Sequence, residues 1–189
     1  MNKKHIITIA GKPGSGKSTA SKAIAEKLSF KHFSSGDFFR AIGKERGIDV
    51  FQANLVAEQE VEIDHLVDEK LRVLGENEDN MVIDSRMAWH WMPYSFRVYL
   101  DLDLLVAAER ILESLDDARM DVEDIPASPA EYAARLQDRL DSETRRYRSL
   151  YDANPYNPAN YDLVIDTALN GPEAVQERIA EAFNQWLHS

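Results

Sequence analysis

The sequence predicts an α/β fold in which a five-stranded parallel sheet is covered on both faces by helices. Three observations carry this. Short apolar runs alternate with longer segments of helical spacing along the whole chain. The first run leads directly into a glycine-rich loop and then into a helical pattern, the order of a βα unit. The 189 residues, 44% of them apolar, suit one core with room for small insertions.

The elements follow in order. "HIITIA" is short, apolar and rich in β-branched residues, which reads as a buried strand. "STASKAIAEKLSF" places Ala20, Ala23, Ile24 and Leu28 at helical spacing. "KHFS", residues 31–34, is a short second strand. "SSGDFFRAIGKERG" opens on a Ser/Asp cluster suited to capping a helix. Residues 51–75 read as one or two acidic amphipathic helices. "NMVIDSR" holds a buried strand ending at Asp84. "FRVYLDL" is a further strand, followed by the helix "LLVAAERILESL". The acidic stretch 117–127 reads as a loop ending near Pro126. "SPAEYAARLQDRLDSETRRYRSLYD" is a long helix with Pro129 at its start. "NPYNPAN" is turn-rich, "YDLVIDT" is the last strand, and "GPEAVQERIAEAFNQWLH" is the closing helix. Residues 1–189 form a single domain, with one helical insertion at 36–76 and another at 114–150.

Composition removes several functions. The net charge of −11 argues against a general nucleic-acid or membrane-surface binder. With no cysteine, disulfides, thiolate chemistry and zinc–cysteine sites are excluded. No stretch is long and apolar enough to span a bilayer and no signal-peptide pattern opens the chain, so the expected location is the cytoplasm.

The chemistry is concentrated in "GKPGSGKST", residues 11–19, which fits the Walker A pattern G-x-x-x-x-G-K-[ST]. Glycines let several backbone amides converge on one anion, and the following helix adds its own free amides. Gly11, Lys12, Pro13, Gly14, Ser15, Gly16, Lys17, Ser18 and Thr19 are therefore the candidate ATP-binding residues. Lys17 suits the β- and γ-phosphates, and the Ser18 hydroxyl suits Mg²⁺. Asp84, at the end of an apolar strand, is the candidate second metal residue. Arg86, two residues on, is either a ligand for a second phosphate or a base edge at the mouth of the sheet, or an ordinary surface arginine. The neighbouring Trp89, His90 and Trp91 read chiefly as packing. In the long helix, Arg135, Arg139, Glu143 and Arg146 share one face at 100° per residue. That face is either a solvated, salt-bridged surface or a set of planar donors for a phosphoryl group in transfer. Arg110, in "AAERIL", is placed to join the set.

These blocks, in this order, resemble a cytidylate kinase of the short archaeal type, within the P-loop nucleoside monophosphate kinases. The resemblance spans nearly the whole chain. "ITIAGKPGSGKSTASKAIAEKL" resembles the family's opening strand, loop and helix. "FSSGDFFRAIGKERG" resembles its acceptor-side S-x-G-[DE]-x-[FY]-R stretch, and "VIDSRMAWHW" lies where the family has [DE]-G-R-x-A-G-W. "RLQDRLDSETRRYRSLYD" resembles the arginine-bearing lid helix. The resemblance implies the nucleoside monophosphate kinase fold, with acceptor-binding and lid insertions. It also implies transfer of the γ-phosphoryl group of ATP to CMP or dCMP with Mg²⁺, a step of pyrimidine nucleotide metabolism. Lys17, Arg110, Arg139 and Arg146 become the catalytic residues. Ser35, Asp37, Arg40, Arg86, Arg139, Glu143 and Arg146 become the acceptor-binding set. Ser18 and Asp84 serve the metal. The substrates are small molecules, neither nucleic acid nor membrane is a partner, and a monomer is expected. Ser85 and His90 depart from the family block and leave the acceptor base open. Another acceptor, such as AMP, UMP or a small phosphorylated metabolite, is the close alternative. A nucleotide-binding protein without turnover is the distant one.

Overall fold

The computed structural model describes residues 3–38, 41, 61–114, 126 and 128–189. In chain order the elements are β1 (Ile6–Gly11), α1 (Lys17–Leu28), β2 (Lys31–Ser34), α2 (Val61–Asn77), β3 (Met81–Asp84) and α3 (Ala88–Trp91). They continue with β4 (Phe96–Asp101), α4 (Leu104–Ser114), α5 (Pro129–Tyr151), a 3₁₀ turn at Pro158–Asn160, β5 (Leu163–Asp166) and α6 (Pro172–Leu187). A helical turn at 35–38 follows β2. The five strands stand in the order β2-β3-β1-β4-β5, and every pairing is parallel. Residues 42–60, 115–125 and 127 lie outside the described residues. So do Arg40, most of the expected helix after β2, residues 51–60 of the acidic helical stretch, and nearly all of the 117–127 loop.

Two apolar layers follow from the two-residue period of β1, all of whose residues are buried. Ile7 and Ile9 face one layer, with Val82, Val98, Leu100 and Ile165, beneath Ile24 of α1 and Ile179 and Phe183 of α6. Ile6 faces the other, with Met81 and Ile83, against Val67 and Leu71 of α2 and Met92 after α3. A sheet buried on both faces needs near-continuous apolar strands, which explains why the strands were legible as short apolar runs. Helix α5 starts cleanly because the Ser128 side chain caps the Glu131 amide and Pro129 occupies the first turn. Its buried Leu136, Leu140 and Tyr147 form one stripe. Leu136 packs on Leu102, Ala107 and Ala108, and Tyr147 on Met87 and Ala153.

Register brings the strand ends together. Ser34 and Ile9 both stand beside Asp84, Gly11 beside Leu100, and Asp101 beside Asp166. In an open parallel sheet this carboxyl edge is where ligands bind. Gly11 sits there with φ +154, where a Cβ would lie 2.3 Å from the Leu100 carbonyl oxygen. The neighbour is backbone and cannot move aside, so only glycine fits. Among the described residues no helix is long and apolar enough to cross a membrane.

Candidate active site

The loop after β1 is organised around one carbonyl. The Lys12 oxygen accepts from the Lys17 ammonium at 3.0 Å, the Ser15 hydroxyl at 2.8 Å and the Ser15 amide at 3.3 Å. The Lys12 ammonium in turn pairs with Asp101 Oδ1, 2.7 Å away at the end of β4. Gly16, with φ +79, turns the chain into α1, and no side chain caps that helix. Its first amides are thus left for a ligand, and the helix dipole favours an anion there. Burial, helped by the nearby Arg86 charge, pulls the Lys17 ammonium down to about 8, while Asp84 opposes the fall. A partly desolvated cation beside uncapped amides is suited to meet a strong anion.

Beside it, the Ser18 hydroxyl donates to Asp84 Oδ2 at 2.5 Å. These are hard oxygen donors of the kind Mg²⁺ takes, few in number because that ion keeps waters and phosphates as its remaining ligands. Among the described residues no group of three or more His, Asp or Glu side chains forms a fuller metal cage. The donor set therefore fits Mg²⁺ carried with a nucleotide, and does not fit a structural metal.

Opposite the loop, Glu143 of α5 collects cations from two segments. Its Oε1 accepts from Arg139 Nε at 3.0 Å, one helical turn back. Its Oε2 lies 3.1 Å from Arg86 Nε as an ion pair, without the alignment of a hydrogen bond. The Tyr156 hydroxyl donates to the same oxygen. The Glu143 side chain is 12% exposed and Arg139 50%, so the carboxylate is the buried hub and Arg139 its wet arm. Burial alone would raise the Glu143 carboxyl. Arg86 and Arg139, with the Tyr156 hydroxyl, outweigh it and hold the group at about 2. Arg86 is correspondingly raised, chiefly by Glu143. A carboxylate whose folded pKa lies below the usual 4.5 stabilises the fold above that pH and loses the contribution as pH falls towards 2. Acid titration followed by circular dichroism is therefore expected to show a shallower loss between pH 4.5 and about 2 in Glu143→Gln than in the parent. Identical acid limbs would show that the cluster adds nothing to stability.

The remaining sequence candidates are distributed unevenly. The Ser35 hydroxyl donates to the Asp84 carbonyl at 3.4 Å, which ties the 35–38 turn to the end of β3. Asp37 lies in the exposed part of the 35–38 turn. The guanidinium of Arg146 lies over the Tyr147 ring, its carbon 5.0 Å from the centroid. Arg110, on α4, donates to the Thr167 carbonyl at 2.8 Å, just after β5. Of the aromatic trio, Trp91 donates to Asp68 at 3.0 Å and packs edge-on against Tyr151, so the packing reading holds for it. Two site residues escaped the sequence reading, Asp101 and Tyr156. Asp101 could have been suspected as an acid ending a strand, like Asp84. Tyr156, inside a turn-rich segment, carries no such signal.

The chain is similar to known proteins over most of its length. A family model described as an AAA domain matches residues 10–126. A cytidylate kinase of Halobacterium salinarum is 34% identical over 184 residues, covering 96% of this chain and 90% of that protein. One from Natronomonas pharaonis is 36% identical with the same coverage, and one from Archaeoglobus fulgidus is 34% identical over 93% of each chain. The crystal structure of shikimate kinase from Aquifex aeolicus is similar with a TM-score of 0.62, covering 95% of this chain and 96% of that one. At 21% identity that likeness shows the shared fold alone. At the identity of the curated relatives, held over nearly the full length of both partners, the chain belongs to the cytidylate kinase family of P-loop kinases.

Proposed function

We propose that the protein moves the γ-phosphoryl group of ATP onto CMP or dCMP, giving ADP and CDP or dCDP. The observation that carries this is the pairing, at one sheet edge, of an uncapped phosphate loop with a second cationic cluster. Lys17 and the loop amides serve the donor. Arg86 and Arg139, joined through Glu143, serve a second anion. A phosphate-loop protein that only hydrolysed or sensed ATP would need no such second site.

Phosphoryl transfer asks the protein mainly to position oxygens and to stabilise spread negative charge. Lys17 exchanges the Lys12 carbonyl for the β- and γ-phosphates. Arg86, Arg139 and Arg146 grip the acceptor phosphate, and one of its oxygens attacks the γ-phosphorus. The bond between that phosphorus and the β-bridging oxygen breaks as the new one forms, so no proton has to move between monophosphate dianion and diphosphate. Arg110 is the further arginine for the transferred group. Ser35 and Asp37 are assigned to the sugar and base of the acceptor, and Arg40, outside the described residues, is assigned with Arg86 to the acceptor nucleotide including its phosphate. Ser18 and Asp84 would hold Mg²⁺, which would supply positive charge against the phosphates. The insertions at 36–76 and 114–150 close over the substrates and exclude water, which suppresses ATP hydrolysis. We take the enzyme to work in the cytoplasm, as a monomer.

A different acceptor base is the second reading, motivated by Ser85 and His90. Both are engaged within the protein. The Ser85 hydroxyl accepts from the Met87 amide at 3.3 Å, and His90 packs edge-on against Trp91. Support for cytosine comes from the relatives, which are cytidylate kinases. The deciding experiment is a coupled assay of ADP formation with ATP·Mg²⁺ and each of CMP, dCMP, UMP, AMP and GMP, beside a control without acceptor. Stimulation by CMP or dCMP alone is the expected result. Stimulation by another nucleotide moves the acceptor and keeps the kinase. No stimulation by any of them removes the kinase reading.

A further inference from the structure

We infer that Tyr156 is a positioning residue for the acceptor, acting through Glu143; the inference rests on the reading of Arg86 and Arg139 as acceptor-phosphate ligands. Glu143 has two oxygens and three partners, Arg139, Arg86 and the Tyr156 hydroxyl. A carboxylate beside two guanidiniums is free to turn and take one of them in a bidentate fork, the stronger arrangement. That arginine would then be withdrawn from any incoming anion. The Tyr156 hydroxyl holds Oε2 in place, so the carboxylate stays shared and both guanidiniums keep donors available.

The hydroxyl can do this because its own segment is braced by hydrogen bonds. The Tyr156 amide donates to the Asn154 side chain at 3.0 Å. Asn160 donates to the Asn154 carbonyl at 2.8 Å, and Asn157 caps the Pro158–Asn160 turn through the Ala159 amide at 3.1 Å. The buried Tyr161 hydroxyl donates to the Pro155 carbonyl at 2.6 Å. The ring of Tyr156 rests on the cluster of Ala10, Tyr99 and Tyr161, and Ala10 immediately precedes the phosphate loop. The turn-rich "NPYNPAN" is thus a braced post on the sheet, and Glu143 is the point where α5 leans on it. A hydroxyl from this post fixes the helix face that carries the acceptor arginines.

The test is Tyr156→Phe, which keeps the ring and removes the hydroxyl. The acceptor KM is expected to rise about tenfold, the worth of one hydrogen bond to a charged group, with the ATP KM within about twofold of the parent. In a Glu143→Gln background the same substitution is expected to add little, because residues acting through one another are not additive. An unchanged acceptor KM overturns the inference. So does an equal rise in both KM values, the signature of general loosening, or a full additional effect on top of Glu143→Gln. Should Glu143→Gln fail to fold, calorimetric titration of CMP into the parent and Tyr156→Phe without ATP takes its place, with equal affinities overturning the inference. The parent is assayed first across the monophosphates. If it prefers another acceptor, the cytosine reading fails and Tyr156 is judged with that acceptor. If it takes none, there is no acceptor to position and both fail.

Discussion

Lys17→Ala lowers phosphoryl transfer to every acceptor by about a thousand-fold, the scale of removing a preorganised donor from a developing charge. The size follows from where the ammonium sits. It is partly buried, held 3.0 Å from a carbonyl of its own loop, and drawn down to about 8 by burial and by Arg86. Folding therefore strips water from a cation and leaves it with weak partners. A triphosphate supplies the missing counter-charge, and most of all in the transition state, when charge spreads over the γ-oxygens. Alanine removes that interaction and leaves the loop backbone intact, because the amides come from the glycine turns and the uncapped start of α1. The measurement is the steady-state rate of ADP formation at saturating acceptor, beside a circular dichroism spectrum that matches the parent. Turnover equal to the parent's would remove the phosphate-loop assignment.

Arg139→Ala lowers kcat/KM for the acceptor by about a hundred-fold, roughly the loss of one charge-assisted contact to phosphate, and leaves ATP affinity close to the parent's. Arg139 is half exposed, so its removal costs little packing, and Glu143 retains Arg86 and Tyr156. An exposed i,i+4 pair of this kind is worth only a few tenths of a kcal/mol in stability. A large kinetic effect with unchanged melting is therefore a functional effect. Kinetics with varied acceptor at fixed ATP, and the reverse, separate the two substrates. Normal acceptor kinetics in the variant would return this helix face to a solvated surface and leave the second phosphate site to Arg86.

The fold was legible because its signals are local. A strand buried on both faces has to be mostly apolar, as "IITIAG" and "MVID" are apart from Thr8 and the terminal Asp84. A helix packed on one side has to repeat its apolar positions, as Leu136 and Leu140 do. A loop that folds around phosphate has to use glycine where a Cβ would strike backbone, as at Gly11. Each requirement acts within a few residues and leaves its mark there. The same holds for the start of α5, where Ser128 and Pro129 announce the cap.

The candidate site was legible only as separate pieces. Helical spacing put Arg139 and Glu143 on one face, but it could not say which segment that face would meet. Parallel strands are joined by long crossovers, so register and packing decide which distant residues become neighbours. That is how Ser18 comes to lie against Asp84, Lys12 against Asp101, and Arg110 against Thr167. The phosphate loop, the alternation of strands and helices and the arginine-bearing helix were determined by the sequence alone, because each is a short-range requirement. The convergence of Arg86, Arg139 and Tyr156 on one buried carboxylate was decided only by the tertiary structure, because a shared ion-pair partner is a property of packing between segments and leaves no periodicity in any one of them.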